Sequence, residues 1–326
     1  MFKIFLLSAL LLAGCLPASD KASLPMNTVQ AVLEYRIAAQ LGEGAFWNHE
    51  TRELYWVDIE GKLLHIYDPA TRTDRTFPTP SRIGTVVPAG PEEAVIALKD
   101  GIYKIDTRTG AISLFCPLEA DLPGNRFNDG KCDPAGRLWA GSMDLGTTNP
   151  TGALYRIDQD GKAVKMLDSI TISNGIVWTS DEKTMYYIDT PTRKIRAYDY
   201  DNASGNISNE RVAVAVADTL GFPDGMAIDE QDKLWGGMWG GRCVARFDPL
   251  SGQLLSRIEV PALNVTACAF GGPNLDTLYI TTASVDMTEE EQRAFPSAGA
   301  IFKAVPGVKG VKSALFGRGQ LHPPGF

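Results

Sequence analysis

The sequence predicts an all-β fold, a six-bladed β-propeller, and three observations point to it. A strand-like run recurs six times: Glu53-Leu-Tyr-Trp-Val-Asp58, Glu93-Ala-Val-Ile-Ala-Leu98, Arg137-Leu-Trp-Ala-Gly-Ser142, Thr184-Met-Tyr-Tyr-Ile-Asp189, Lys233-Leu-Trp-Gly-Gly-Met238 and Thr277-Leu-Tyr-Ile-Thr-Thr282. The second residues of these runs, Leu54, Ala94, Leu138, Met185, Leu234 and Leu278, lie about 45 residues apart, a period that marks a repeat architecture. Each run is followed by a second: Leu64 to Asp68, Ile102 to Asp106, Leu154 to Asp158, Ile195 to Asp199, Val244 to Asp248 and Ala300 to Ala304. Short β-branched and aromatic runs separated by Asp, Asn, Gly and Pro read as strands and turns. A repeated hairpin sandwich is the competing all-β reading, but six near-equal periods favour radial closure. Length alone, 326 residues, suggests two domains, yet large all-β folds often form one unit.

Taken in order, the chain opens with Met1-Phe-Lys3, the apolar run Ile4 to Leu12, and Ala13-Gly14-Cys15. A charged start, an apolar stretch too short to span a bilayer and small residues describe an export signal over residues 1–14. Leu12-Ala-Gly-Cys15 is similar to the bacterial lipobox, which implies lipidation at Cys15 and an exported periplasmic or cell-envelope lipoprotein. Residues 15–31 would then be a tether and residues 32–326 one propeller domain, with the membrane engaged only through the anchor. Within that domain, Val32-Leu-Glu-Tyr-Arg-Ile37 is expected to supply the missing outer strand of the sixth blade and so remove an open edge. The only helical pattern of any length falls on Met287 to Ala294.

Composition narrows function. The net charge is −8, from 31 basic and 39 acidic side chains, and becomes −9 once Lys3 leaves with the signal. With no run of Lys or Arg, nucleic-acid binding is excluded as the main role. Three scattered histidines, His49, His65 and His322, argue against a His-rich zinc site or a His-based hydrolase. A bound metal would therefore take mainly oxygen ligands. Of the cysteines beyond Cys15, Cys132 and Cys268 fall on inner strands of opposite blades and Cys116 on an outer one. Cys116, Cys132, Cys243 and Cys268 are accordingly predicted to be free, mostly buried thiols.

In a propeller the first strand of each blade lines the axis, so residues at its start gather at one mouth. Four units begin with a carboxylate or amide directly before glycine: Glu43-Gly44, Asp129-Gly130, Asn174-Gly175 and Asp224-Gly225. Glu43, Asn174 and Asp224 are 131 and 50 residues apart, or three blades and one, which aims three oxygen ligands at one point. Asp-Gly and Asn-Gly are also common turn dipeptides. Their recurrence at one phase of the repeat is what points to a site. Asp133-Pro-Ala-Gly136 and Asp229-Glu-Gln-Asp232 read as ordinary turns, and Trp139, Trp178 and Trp235 as inter-blade packing at equivalent strand positions.

These motifs resemble the gluconolactonase and regucalcin family, also called the senescence marker protein family. The residues that carry the resemblance are Leu41-Gly-Glu-Gly-Ala-Phe-Trp47, Asn125-Arg-Phe-Asn-Asp-Gly-Lys131, Asp133-Pro-Ala-Gly-Arg-Leu-Trp-Ala-Gly141, Ser173-Asn-Gly-Ile-Val-Trp178, Met185-Tyr-Tyr-Ile-Asp189 and Phe222-Pro-Asp-Gly-Met226. The resemblance implies that Glu43, Asn174 and Asp224 ligate one divalent cation, calcium first, with zinc, manganese, magnesium or ferrous iron also compatible. It implies that Arg126 and Asn128 contact substrate oxygens and that Asp129 lies beside the metal or its waters. A further family acid follows the strand containing Met143; here Asp144 is close but Gly146 falls nearer its place. The expected function is metal-dependent hydrolysis of a lactone such as gluconolactone, with Asp224 as general base and Asp129 as the second candidate. A non-catalytic metal- or small-molecule-binding propeller and a broader ester or organophosphate hydrolase are the alternatives.

Overall fold

The computed structural model describes residues 27–319. Six sheets stand around one axis. From the axis outward, blade 1 comprises Gly42–Asn48, Glu53–Asp58, Leu63–Asp68 and Thr73–Pro78, and blade 2 comprises Thr85–Pro88, Glu93–Leu98, Gly101–Asp106 and Ile112–Pro117. Blade 3 is Asn125–Cys132, Leu138–Asp144, Gly152–Ile157 and Ala163–Ile170. Blade 4 is Ser173–Trp178, Thr184–Asp189, Lys194–Asp201 and Asn206–Ala215. Blade 5 is Phe222–Ile228, Leu234–Trp239, Cys243–Phe247 and Leu254–Glu259. Blade 6 contributes Asn264–Gly271, Thr277–Ala283 and Ile301–Ala304. Each inner strand touches the next around the full circle, blade 6 returning to blade 1. The six-bladed propeller is therefore closed.

The recurring runs are the second strands. They are apolar along their whole length because neighbouring blades cover both faces: Leu54, Tyr55, Trp56 and Val57 are all buried. Outer strands such as Thr73–Pro78 meet solvent and are correspondingly polar. Val32–Tyr35 pairs antiparallel with Ile301–Ala304 and completes blade 6, as its pattern predicts. One boundary is corrected. Residues 27–31, expected in the tether, belong to the propeller: Asn27–Gln30 adds to the outer edge of blade 5, parallel to Leu254–Glu259, and Ala31 is buried. Cys15 and the signal lie outside the described residues. The helix is short, Glu289–Ala294, with a reciprocal Thr288–Glu291 capping box.

On the face away from the starts of the inner strands, residues 305–319 run across the propeller. Gly310 N–H donates to Leu275, Phe316 N–H to Pro88 and Gly317 N–H to Gly136, while Arg318 pairs with Glu50. The expected turns close on the same face, through Gly136 N–H to Asp133 O and Asp232 N–H to Asp229 O. Both aspartates do more than turn the chain. Asp133 accepts from Arg137 Nε at 2.7 Å, Trp139 Nε1 at 2.9 Å and Tyr200 OH at 2.8 Å, joining blades 3 and 4. Asp229 likewise holds Trp235 Nε1 and Arg246. Trp178 departs from the expected equivalence with Trp139 and Trp235. It ends an inner strand, one strand before them, and meets Trp139 edge-on across the blade boundary at 5.8 Å. The four cysteines from Cys116 to Cys268 are free and buried.

Asp133 is fully buried and accepts four hydrogen bonds, from Arg137 N and Nε, Trp139 Nε1 and Tyr200 OH, so Asp133→Ala removes all four. We expect a loss of about 3–5 kcal/mol, the range for breaking a buried ion pair from one side. Urea unfolding of the variant reads this directly, and a loss under 1 kcal/mol would show that the cluster is not a fastening between blades.

Candidate active site

All six inner strands begin on one face, which brings their first side chains to the axis. Their aim is set by ladder irregularities between first and second strands. Pairing breaks between Glu43 and Phe46, Phe127 and Gly130, Asn174 and Ile176, and Pro223 and Met226. Bulges of this kind re-aim side chains and are frequent beside active sites. They also correct the expected register. Asn128 follows Phe127 as Asp224 follows Pro223, so Asn128 shares the phase of Asp224. Asp129 stands one residue deeper, where blade 5 has Gly225. The Asp-Gly match slid by one residue because a bulge leaves no mark in a dipeptide.

Glycine is required by space after Asn174 and Asp224, and after Glu43 by the left-handed φ of +61° at Gly44. A Cβ on Gly175 would lie 2.6 Å from Met226 Cβ, and one on Gly225 2.6 Å from Ala267 Cβ. The inner strands can approach this closely only without side chains at those points.

Glu43, Arg126, Asn128, Asn174 and Asp224 line one open cavity of about 650 Å³. Asp129 does not line it; with Lys131, Met226 and Cys268 it borders a small void in the adjoining channel. Lys131 Nζ donates to Met226 O at 2.7 Å. Among the described residues no three His, Cys, Asp or Glu side chains converge as metal ligands, and the gathering here is two carboxylates and an amide.

Electrostatically the site is under stress. Burial pushes the Glu43 carboxyl well above its usual range, and Asp224 and then Asp129 push it further. Asp224 is raised well above its range by burial and then by Asp129, and it shares a hydrogen bond with Glu43. Asp224 Oδ1 has no hydrogen-bond partner although it is buried. Burial lowers the Arg126 guanidinium to about 10. Asp129 is also raised by burial, with Lys131 opposing the shift. Two buried carboxylates, one with an orphaned oxygen, beside an amide oxygen form a donor set that fits a hard divalent cation.

The surrounding groups hold this arrangement. Arg126 donates from one nitrogen to Phe127 O at 3.0 Å and Asn128 Oδ1 at 2.6 Å. Asn128 Nδ2 donates to Ser173 O at 2.7 Å and Asn174 Oδ1 at 3.2 Å. Asn174 Nδ2 donates to Thr190 Oγ1, which donates on to Pro223 O, each at 2.8 Å. Two of the aspartates that close recurring runs clamp the approach to inner strands. Asp58 accepts from the N–H groups of Gln40 and Leu41 at 3.0 Å, and Asp189 from that of Ile172 at 3.0 Å. Asp144 instead caps its own loop, accepting from Asn149 N at 3.1 Å and Asn149 Nδ2 at 3.0 Å, and does not line the cavity.

Sequence reasoning missed Thr190 and the Glu60–Arg82 pair at the cavity wall, joined at 2.9 Å through Nε. These residues lie in connecting loops that do not repeat, so periodicity carries no signal for them.

Residues 41–284 match the family model described as the SMP-30/Gluconolactonase/LRE-like region. YvrE of Bacillus subtilis strain 168, named as a candidate sugar lactone lactonase, is 41% identical over 276 residues, covering 85% of this chain and 94% of that protein. Pentonolactonase XacC of Haloferax volcanii is 35% identical over 275 residues, covering 82% and 91%. The crystal structure of the calcium-binding protein regucalcin from Agrobacterium tumefaciens superposes with a TM-score of 0.85 at 29% identity, covering 89% of this chain and 98% of that one.

The raised carboxyls make a signed prediction about stability. In the metal-free fold Glu43 and Asp224 retain protons that the unfolded chain releases above its usual carboxylate range, about pH 4. Stability therefore falls as pH rises from there through the raised folded values. Asp224→Asn relieves the repulsion, and the metal-free variant should be more stable than the parent at pH 7 by about 1–3 kcal/mol, with a shallower pH slope. Urea melts in chelator at pH 5 and pH 7 test both parts; a less stable variant at pH 7 refutes the repulsion.

Proposed function

The chain belongs to the SMP-30/gluconolactonase/LRE-like family, and on that premise we propose that it is a lactonase that uses one divalent cation held by Glu43, Asn174 and Asp224. The observation that carries the reading is the pair of buried, mutually repelling carboxylates at the open end of the axis, with the Arg126 guanidinium in the same cavity. When bound, a divalent cation supplies Lewis-acid polarisation of a carbonyl and lowers the pKa of water. Calcium is the first candidate, and oxygen ligands also accept magnesium or manganese.

The remaining work falls to side chains. Arg126, with one nitrogen fixed by Phe127 O and Asn128 Oδ1, directs its other N–H groups at oxygens of the lactone. Asn128 sets the orientation of both Arg126 and Asn174. Asp224 Oδ1 takes a proton from the attacking water. Water oxygen bonds to the carbonyl carbon, the ring C–O bond breaks, and the proton passes to the departing ring oxygen. The product is the open hydroxy acid. Asp129, one layer deeper beside Lys131, is the second carboxylate available for proton transfer.

Asp224→Ala should reduce turnover of glucono-δ-lactone at least about a hundredfold, the lower end of what a positioned acid–base group contributes. Divalent-metal affinity should fall with it. The check is acid release on aldonolactones, before and after chelation and metal return, and full activity in the variant would remove Asp224 from the mechanism.

The reading includes a place in the cell envelope. The support is Leu12-Ala-Gly-Cys15 at the end of the apolar run. Cys15→Ser should move the protein from the membrane fraction to the soluble fraction, and unchanged fractionation would refute the lipid anchor.

A further inference from the structure

The cavity is lined unevenly. Blades 6, 1 and 2 face it with Asp286, Gln40, Glu60 and Arg82 beside Leu41 and Val285, whereas blades 3, 4 and 5, besides their site residues and Thr147, add the larger apolar group Met143, Leu145, Ile172, Pro191, Phe222 and Trp239. Two of the large apolar side chains that the propeller leaves exposed, Leu145 at 38% and Phe222 at 39%, are in this second half. Isolated exposed apolar residues need no explanation, but several lining one ligand cavity do.

The wall is built and held. Phe222 and Trp239 are directly opposite each other on neighbouring strands, which sets two aromatic side chains next to one another. The Arg193 guanidinium packs over the Phe222 ring at 3.7 Å from its centre and donates to Gly221 O at 2.7 Å, which fixes the ring. Leu145 is presented by the loop that Asp144 caps, and its own N–H is tied to Gly124 O at 2.8 Å. The acid nearest this wall therefore orders a loop carrying an apolar side chain and does not turn toward a sugar hydroxyl.

We infer that the preferred substrate is a lactone bearing an apolar alkyl or aryl substituent, with the ester held at Arg126 and Asp224 and the substituent lying on Phe222, Trp239 and Leu145. The inference rests on the lactonase reading and adds its substrate class. A fully hydroxylated ring would place hydroxyls against Phe222, Leu145 and Met143, side chains that offer them no hydrogen bond, although Thr147 and Thr190 stand in the same half. Displacing water from the same wall with methylenes is favourable.

The test uses the metal-loaded full chain and δ-lactones that share one ring: δ-valerolactone, δ-hexalactone, δ-octalactone and δ-decalactone, with glucono-δ-lactone alongside. For each added methylene kcat/KM should rise about twofold, as expected for partial burial, with most of the change in KM. Leu145→Ser and Phe222→Ser should each flatten this series at least threefold between its ends. The ratio of δ-decalactone to δ-valerolactone is taken within one preparation, so any loss of folded protein cancels. A flat or falling series in the parent, or an unchanged ratio in both variants, overturns the proposal. Turnover of glucono-δ-lactone with a flat alkyl series sinks the apolar subsite alone. No turnover of any lactone sinks the lactonase reading together with it.

Discussion

Crowding at the axis is the constraint on which the other features depend. Six strands can close a ring only if their backbones approach closely, and at Gly175 and Gly225 no Cβ would fit. The side chains just before these two glycines, Asn174 and Asp224, face one cavity with Glu43, whereas Asp129, before the equally crowded Gly130, borders the smaller void. Blades 2 and 6 meet the same crowding with threonines. Thr85 Oγ1 donates to Gly130 O, and Thr266 Oγ1 donates to Gly42 O, so these blades bind their neighbours and contribute no charge to the axis.

Placing carboxylates there works against stability. Burial raises both Glu43 and Asp224, Asp129 raises both further and Asp224 raises Glu43, while Arg126, backbone N–H groups and the hydrogen bond that Asp224 shares with Glu43 oppose the shifts. The fold offsets this elsewhere. Asp133 and Asp229 fasten tryptophans and arginines on the far face, and residues 305–319 bridge blades there. Asp58 and Asp189 fix the backbone just before Glu43 and Asn174. The site is strained where a cation would relieve it and supported where it would not, the usual division between functional and structural regions of an enzyme.

The parts legible in the sequence are those the repeat constrains. Second strands such as Glu53–Asp58 are covered on both faces, so they are apolar throughout and recur with the blade period. Glu43, Asn174 and Asp224 stand out because each is followed by a required glycine, for space at Gly175 and Gly225 and for the left-handed φ of +61° at Gly44. Asp129 also precedes glycine, yet the bulge between Phe127 and Gly130 puts Asn128 at the phase of Asp224 and sends Asp129 deeper. Asn27–Gln30 was hidden for another reason. It is a single edge strand outside the repeat, in a polar stretch that reads as a linker. Thr190, Arg82 and Leu145 sit in connections between strands, where each blade differs, and Phe222 and Trp239 stand at strand ends beside them, where no other copy offers a comparison.

Those loops also set the charge that a ligand meets. Glu43, Glu60, Asp224 and Asp286 face the cavity against Arg82 and Arg126, four acids to two bases. A divalent cation would bring a fully ionised cavity to neutrality, and Arg82 is already occupied by Glu60 at 2.8 Å. No surplus positive charge then remains for an anionic group on the substrate, such as a phosphate. Apolar contact with Phe222 and Trp239, hydrogen bonds from neutral groups such as Gln40 and Thr147, and dipoles directed at the ester are what the cavity has left for recognition. Its chemistry therefore favours a neutral ligand over a charged one, on grounds separate from the shape of the apolar wall.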